Sequence, residues 1–219
     1  MSKPTCLIIG TGPGIGNALA LAFAQEGFAV ALMARSALKL APIVDDVRDA
    51  GGDARAFPCD ASDEAALRAT IRTIAAEMGA PQILIYNIAA LGLGKPTTLT
   101  RERLLQDLQV NVLSALVAAQ EVAPAMQAAG KGSVFFTGGG FAYEPAANYS
   151  SLSLGKAALR NLTFSLAQEL GAHGIHVATV TVYGFVQTGT HFDPTRIAQA
   201  YLTLHRQPKG HFQTELIYK

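Results

Sequence analysis

Four glycines crowd into seven residues, Gly10-Thr11-Gly12-Pro13-Gly14-Ile15-Gly16, directly after an apolar run at 6–9 and directly before a helix-period segment that opens at Ile15. Glycine lets a backbone turn tightly and come close to a pyrophosphate, whose charge the free N–H groups and positive dipole end of the following helix then hold. A glycine string alone is a weak signal, and a purely structural turn is the alternative. The strand before it and the helix after it supply the context in which such a turn binds a dinucleotide. About twenty residues on, a cofactor without a 2′-phosphate calls for an acidic side chain on its ribose. The second strand ends in Met33-Ala34-Arg35-Ser36 instead. Arg35 offers a planar fork to a phosphate and no carboxylate stands there to repel one, so the pattern favours NADP(H) over NAD(H). A solvated arginine at a strand end is the plainer reading of the same residue.

Two more polar side chains fall where apolar ones belong. Leu104, Leu108 and Asn111 lie at i, i+4 and i+7, which puts Asn111 on the apolar face of its helix, where an amide must find partners. Lys156 shares a face with Leu152 and Leu159, an unusual place for an ammonium unless it reaches a ligand or a cleft. A structural polar network is the alternative for both. Three successive glycines, Gly138-Gly139-Gly140, follow a buried strand and leave backbone N–H groups unobstructed, either as hydrogen-bond donors or as a mobile loop. The histidines His173, His176, His191, His205 and His211 have no metal-ligand spacing, so no metal site is expected and surface or strand-end roles are. His191 alone lies in the loop expected to cover the cofactor. Cys6 and Cys59 read as buried thiols of a reducing compartment rather than a disulfide or metal pair.

Positioning these residues takes alternating elements. Apolar β-type runs recur at 6–9, 29–33, 56–58, 83–86, 134–137 and 176–182, with helix-period segments at about 15–26, 37–50, 64–78, 101–129 and 150–170. Gly27, Gly51, Gly79 and Gly171 close several of those helices. The alternation predicts an α/β fold, a doubly wound parallel sheet of about seven strands with helices on both faces. Pro194 opens a short helix through about His205, and 212–218 reads as a final edge strand. With 219 residues and no repeat, linker or low-complexity tract, the expected organisation is one dinucleotide-binding domain over 1–219, ending in a short substrate-loop and edge-strand segment at about 187–219. Net charge of +1 gives no field for nucleic acid or an anionic membrane. The apolar runs fall short of a membrane span, and the N-terminus lacks the regions of a signal peptide, so a cytoplasmic protein is expected.

The spacing G-x-x-x-G-x-G from Gly10 to Gly16 resembles the short-chain dehydrogenase/reductase family, and further matches run through nearly the whole chain. Asp60, after the third strand, resembles the family's adenine-contacting acid. Tyr86-Asn87-Ile88-Ala89 stands in place of the family's Asn-Asn-Ala-Gly and keeps Asn87. Asn111 in Gln-Val-Asn-Val and Lys156 in Gly-Lys-Ala-Ala-Leu match the family's helix asparagine and catalytic lysine. Gly184 and Thr188 fit the loop that touches the nicotinamide, with Tyr183 in place of its usual proline. In the family a tyrosine four residues before the lysine transfers the proton, and a serine thirteen residues before that tyrosine orients the carbonyl. Counting back from Lys156 gives Leu152 and Gly139. Neither transfers a proton or offers a side-chain hydrogen bond, which removes about 3–5 kcal/mol of transition-state stabilisation unless another group replaces it.

Tyr149, at i−3 from Leu152 and hence near its face, is one substitute; Tyr183 and Thr137 are others, each with ordinary packing as its alternative. The resemblance implies an atypical NADP(H)-dependent oxidoreductase acting on a carbonyl or alcohol, with Asn111 and Lys156 holding ribose and a water and Tyr149 or solvent supplying the proton. A cofactor-binding homologue without turnover, a sensor or oligomeric partner, is the competing reading. The resemblance also implies a homodimer or homotetramer through the helices at 101–129 and 150–170, and a substrate cover drawn from about 187–203.

Overall fold

The computed structural model describes residues 3–219. Seven strands form a single sheet in the order β3-β2-β1-β4-β5-β6-β7, every pairing parallel. They are β1 (Thr5–Ile9), β2 (Ala29–Ala34), β3 (Asp53–Pro58), β4 (Pro81–Tyr86), β5 (Gly132–Gly139), β6 (Ile175–Val182) and β7 (Glu215–Tyr218). The strand order reverses between β1 and β4, so the crevice beyond their C-terminal ends is where an open α/β sheet takes its ligand. The glycine turn occupies that crevice: Gly10 and Thr11 both donate their N–H groups to Met33 O at the end of β2. β1 and β6 are buried along their whole length, as strands covered on both faces must be.

Helices α1 (Ile15–Gln25), α2 (Ala37–Asp49) and α7 (Pro194–His205) cover one face; α3 (Glu64–Met78), α4 (Arg101–Leu108), α5 (Ser114–Ala129) and α6 (Ser150–Gly171) cover the other. Asp63, Thr100 and Asp193 cap α3, α4 and α7, each side chain accepting from a first-turn N–H, and Pro194 follows Asp193 where a helix tolerates proline. α6 buries Leu152, Lys156, Leu159, Thr163, Leu166 and Leu170, one continuous stripe at helical spacing.

Three expectations need correction. The helix at 101–129 is not uniformly α: a π turn at Gln109–Leu113 separates α4 from α5 and carries Asn111. The extra residue rotates the register, so Asp107, one turn before Asn111, is buried while Leu104 and Leu108 are only half-buried. By length and composition Arg101–Ala129 would pass as a membrane span. Its apolar side chains Val117, Ala118, Val122 and Met126 belong instead to the core beneath the sheet. Gly171 is the last residue of α6 and the left-handed backbone falls on Gly174 (φ 77°), whereas Gly27, Gly51 and Gly79 do adopt positive φ after their helices. Finally, α7 is a core helix, with Ile197, Ala198, Tyr201, Leu202 and Leu204 buried against α1 and the sheet. The 194–203 part of the expected cover is thus packed into the core, and 183–193 beside it stays largely exposed.

Candidate active site

The glycine turn divides into a closed half and an open half. A Cβ on Gly10, where φ is +91°, would lie 2.6 Å from Asn87 O, and one on Gly16 would lie 2.8 Å from Thr11 Cα. At Gly12 and Gly14 a Cβ would meet nothing within 4 Å. Gly14 is the N-cap of α1 and no side chain caps that terminus. Gly10 thus lets the turn abut Asn87 after β4 and Gly16 lets it close on Thr11, while the other two leave a bare face before uncapped N–H groups, the shape and polarity that a pyrophosphate requires. Ile15 opens the helix behind them. Arg35 is exposed just beyond β2, and the Ser36 hydroxyl caps nothing on α2. Asp60 accepts from both the N–H and the hydroxyl of Ser62, which, helped by the nearby Arg35 charge, holds its carboxyl below the usual range. These residues fit a dinucleotide.

Asn87 is committed to the protein. Its Nδ2 donates to Gly10 O at 3.0 Å, and its Oδ1 accepts from the Thr137 hydroxyl at 2.8 Å. That hydroxyl is also 2.6 Å from the Tyr201 hydroxyl, buried on α7. With Thr137 donating to Asn87, Tyr201 must donate to Thr137, giving a line from α7 through β5 and β4 to the glycine turn. The Thr137 hydroxyl is therefore committed to partners within the protein. Sequence reasoning missed Tyr201; its one signal was a tyrosine on the apolar face of the 194–205 helix.

Lys156 is 6% exposed, and its Nζ donates to Thr137 O at 2.6 Å. Burial pulls its pKa down to about 8. Asn111 Oδ1 accepts from Ala90 N at 2.8 Å, pinning the loop after β4 to the π turn. Gly155 lets α6 approach it: a Cβ there would lie 2.9 Å from Asn111 Cβ. Leu152, 4% exposed, packs apolar atoms where the family resemblance puts a tyrosine. A Cβ on Gly139 would be 3.7 Å from Lys156 Cε, so the lysine stem runs beside the bare glycine. Lys156, Thr137, Gly139 and Leu152 are brought together at the ends of β5 and α6, with Asn111 behind them.

Tyr149 does not share the face of Leu152. It is the N-cap of α6, with non-helical backbone (φ −121°, ψ 40°), so the i−3 argument fails. Its ring stacks on Phe141 with centroids 5.4 Å apart. Phe141 also walls a cavity of about 610 Å³ between the 96–99 segment, the 141–147 segment and α6. Ser150 and Ser153 line that cavity but spend their hydroxyls on Gly94 O and Tyr149 O, leaving it apolar. Nor do the three glycines form a loop: Gly138 and Gly139 extend β5, paired with Thr181 and Val182, and Gly140 lies under the Tyr183 ring. Gly184 packs beneath the Phe192 ring and is exposed, as is Thr188. His191 stacks on Tyr218 at 4.9 Å, turned to the edge strand. His176 is buried within β6, stacked on Phe212 at 4.3 Å, and not at the surface. Cys6 and Cys59 are buried free thiols, and among the described residues no three His, Cys, Asp or Glu side chains converge as metal ligands.

Fold and turn together define a Rossmann-type α/β protein. The chain belongs to the short chain dehydrogenase family, whose pattern it matches over residues 4–194. Members are oxidoreductases that use a nicotinamide cofactor on small molecules. The 7alpha-hydroxysteroid dehydrogenase of Escherichia coli K12 is 31% identical over 171 residues, 78% of this chain and 67% of that protein. A short-chain dehydrogenase structure from Rhodopseudomonas palustris superposes with a TM-score of 0.90 at 29% identity, covering 99% of this chain and 98% of that one. A metagenomic short-chain oxidoreductase solved in complex with NADP does so with a TM-score of 0.90 at 27% identity, covering 99% and 97%.

Proposed function

We propose that this chain is an atypical NADP(H)-dependent oxidoreductase that moves hydride to or from a carbonyl or alcohol. The observation that carries the reading is the half-open glycine turn: bare Gly12 and Gly14 before the uncapped end of α1, with exposed Arg35 beyond β2. Arg35, the free Ser36 hydroxyl and the N-terminus of α2 would hold the 2′-phosphate. Asp60 would face the adenine, and Gly184 and Thr188 the nicotinamide side. Lys156 and Asn111 would hold the ribose and a water. When bound, the dinucleotide supplies the hydride. The apolar helical faces that expose Leu105, Leu113 and Leu154 support a homodimer or homotetramer through α4, α5 and α6.

Calorimetric titration with NADPH and NADH at fixed salt tests the cofactor assignment. NADPH should bind at least about tenfold more tightly, a difference near 1.4 kcal/mol, and Arg35→Ala should erase the preference. Binding of neither nucleotide would sink the oxidoreductase reading. The second reading, a cofactor-binding protein without turnover, is favoured by Leu152 and Gly139. Introducing Leu152→Tyr with Gly139→Ser separates the two: carbonyl reduction gained only in that double variant means the native chain binds without turning over.

A further inference from the structure

We infer that the site takes an uncharged carbonyl or alcohol carried on a bulky apolar body, held by two pinned loops that leave the sheet on either side of Gly139. The inference rests on the oxidoreductase reading and gives its substrate class. β5 ends at Gly139, and its neighbours in the sheet are β4 and β6. The segments that follow those two strands expose Leu91 (70%), Leu93 (73%), Phe185 (82%) and Val186 (43%). Four large apolar side chains held in water around one strand end are a patch that calls for a ligand.

The exposure is built into the loops. After β4 the chain is pinned at alternate residues. Ala90 donates its N–H to Asn111 Oδ1. Gly92 is buried against the Asp107 carboxylate, which Ser151 and Arg103 hold, so closely that a Cβ there would overlap it. Gly94 donates to Asn148 O and accepts from the Ser150 hydroxyl. Leu91 and Leu93 fall between these pins and face water. After β6, Tyr183 donates its N–H to Tyr218 O, Gly184 lies beneath the Phe192 ring and Gln187 donates to Phe192 O, which leaves Phe185 and Val186 outside the clamp. Turning these side chains inward would break the contacts that pin their neighbours, so the loops hold the patch open for a ligand.

The surroundings fix the class. Residues 87–94, 138–143 and 183–192, at the ends of β4, β5 and β6, contain no Asp, Glu, Lys or Arg. His191 stacks on Tyr218, and Lys95 stands past the Gly94 pin. The amides and hydroxyl at the strand ends are spent: Asn87 on Gly10 and Thr137, Thr137 on Asn87 and Tyr201, Asn111 on Ala90. Tyr183, Gln187 and Thr188 keep polar side chains there, all neutral, which suits a hydroxyl or carbonyl and not an ion. A carboxylate or phosphate on the substrate would shed its hydration with no partner but Lys156, whose ammonium the same reading gives to the ribose. An apolar body loses no hydrogen bond on entering and takes four exposed side chains out of water.

The test titrates the NADP⁺-loaded protein, and the protein without dinucleotide, with benzophenone and with its para-carboxylate, benzoylbenzoate, in a calorimeter. Benzophenone should bind at least about tenfold more tightly. Leu93→Ser and Phe185→Ser change exposed side chains, so thermal unfolding should stay that of the wild type, while each should weaken benzophenone by about tenfold or more. Equal affinity for the two ketones, no binding of benzophenone, or variants that bind it like the wild type overturns the proposal. Dimers in sedimentation that both variants lose would overturn it too, by assigning the patch to a second copy of the chain. A wild type that binds neither NADPH nor NADH overturns the oxidoreductase reading instead, and the titration without dinucleotide still decides the ligand class.

Discussion

Replacing Lys156 by methionine should leave the protein less dependent on alkaline pH, and the size of the effect follows from the site. The ammonium is buried in α6 with a single acceptor, and desolvation lowers its pKa from 10.5 to about 8. At about 1.4 kcal/mol per unit, the charged form carries a folding penalty of about 3 kcal/mol. The sign follows from proton counting. Between pH 8 and 10.5 the unfolded chain binds more protons at this position than the folded one, so stability rises with pH across that window. The penalty is fully present below pH 8 and fades as the unfolded value is approached. Methionine keeps the unbranched stem and abolishes the titration. Urea unfolding of both proteins at pH 7 and pH 10 isolates the effect, because the other titrating groups are common to both. The stability of wild type minus variant should rise by roughly 2–3 kcal/mol between the two conditions. A change below about 1 kcal/mol, or one of opposite sign, would mean that the ammonium is not buried as described.

Two other perturbations separate stability from binding. Gly10→Ala forces a side chain into positive φ and onto Asn87 O, so it should cost more than about 2 kcal/mol in thermal or urea unfolding; Gly12→Ala meets open space and should fold normally while weakening NADPH in calorimetry. Equal stability of the two variants would contradict the division of the turn. Glu215 on β7 is largely buried, and although burial would raise its pKa, hydrogen bonds from Arg160, Thr181 and Tyr143 outweigh that and hold it low. Glu215→Gln should therefore destabilise by about 1–3 kcal/mol at neutral pH, discounted because Arg160 is partly exposed, and the difference from wild type should shrink as acid protonates the carboxylate.

The sheet, its strand count and most helix limits were legible because apolar period and glycine punctuation coincide: α3 was expected at 64–78 and occurs at Glu64–Met78. The glycine turn was legible for the same reason. What stayed hidden was set by tertiary contact. The π turn around Asn111 leaves no periodic signature in five residues of ordinary helix formers. Tyr149 looked helical by counting from Leu152, yet the chain there is held in a parallel bridge to Gly94 and enters the helix one residue later. The glycine run at 138–140 read as a loop by composition, but Gly138 must be bare to pack on Thr179 and Thr181 across the sheet, which keeps it in β5. Tyr201 was not singled out in the sequence, because only the folded chain brings its hydroxyl to Thr137, whose carbonyl accepts from Lys156.

That last connection constrains how the site tolerates change. Thr137 gives its carbonyl to Lys156 and its hydroxyl to Asn87, which in turn holds Gly10. A single β5 residue therefore fixes both the lysine and the closed half of the nucleotide turn, and Tyr201 fixes its hydroxyl rotor from the opposite helical layer. Neither Leu152 nor Gly139 contributes a side-chain hydrogen bond to this line, so its members do not depend on the side chains at those two positions. The network that fixes the buried Lys156 amine and the closed half of the glycine turn is thus independent of the side chains at 139 and 152.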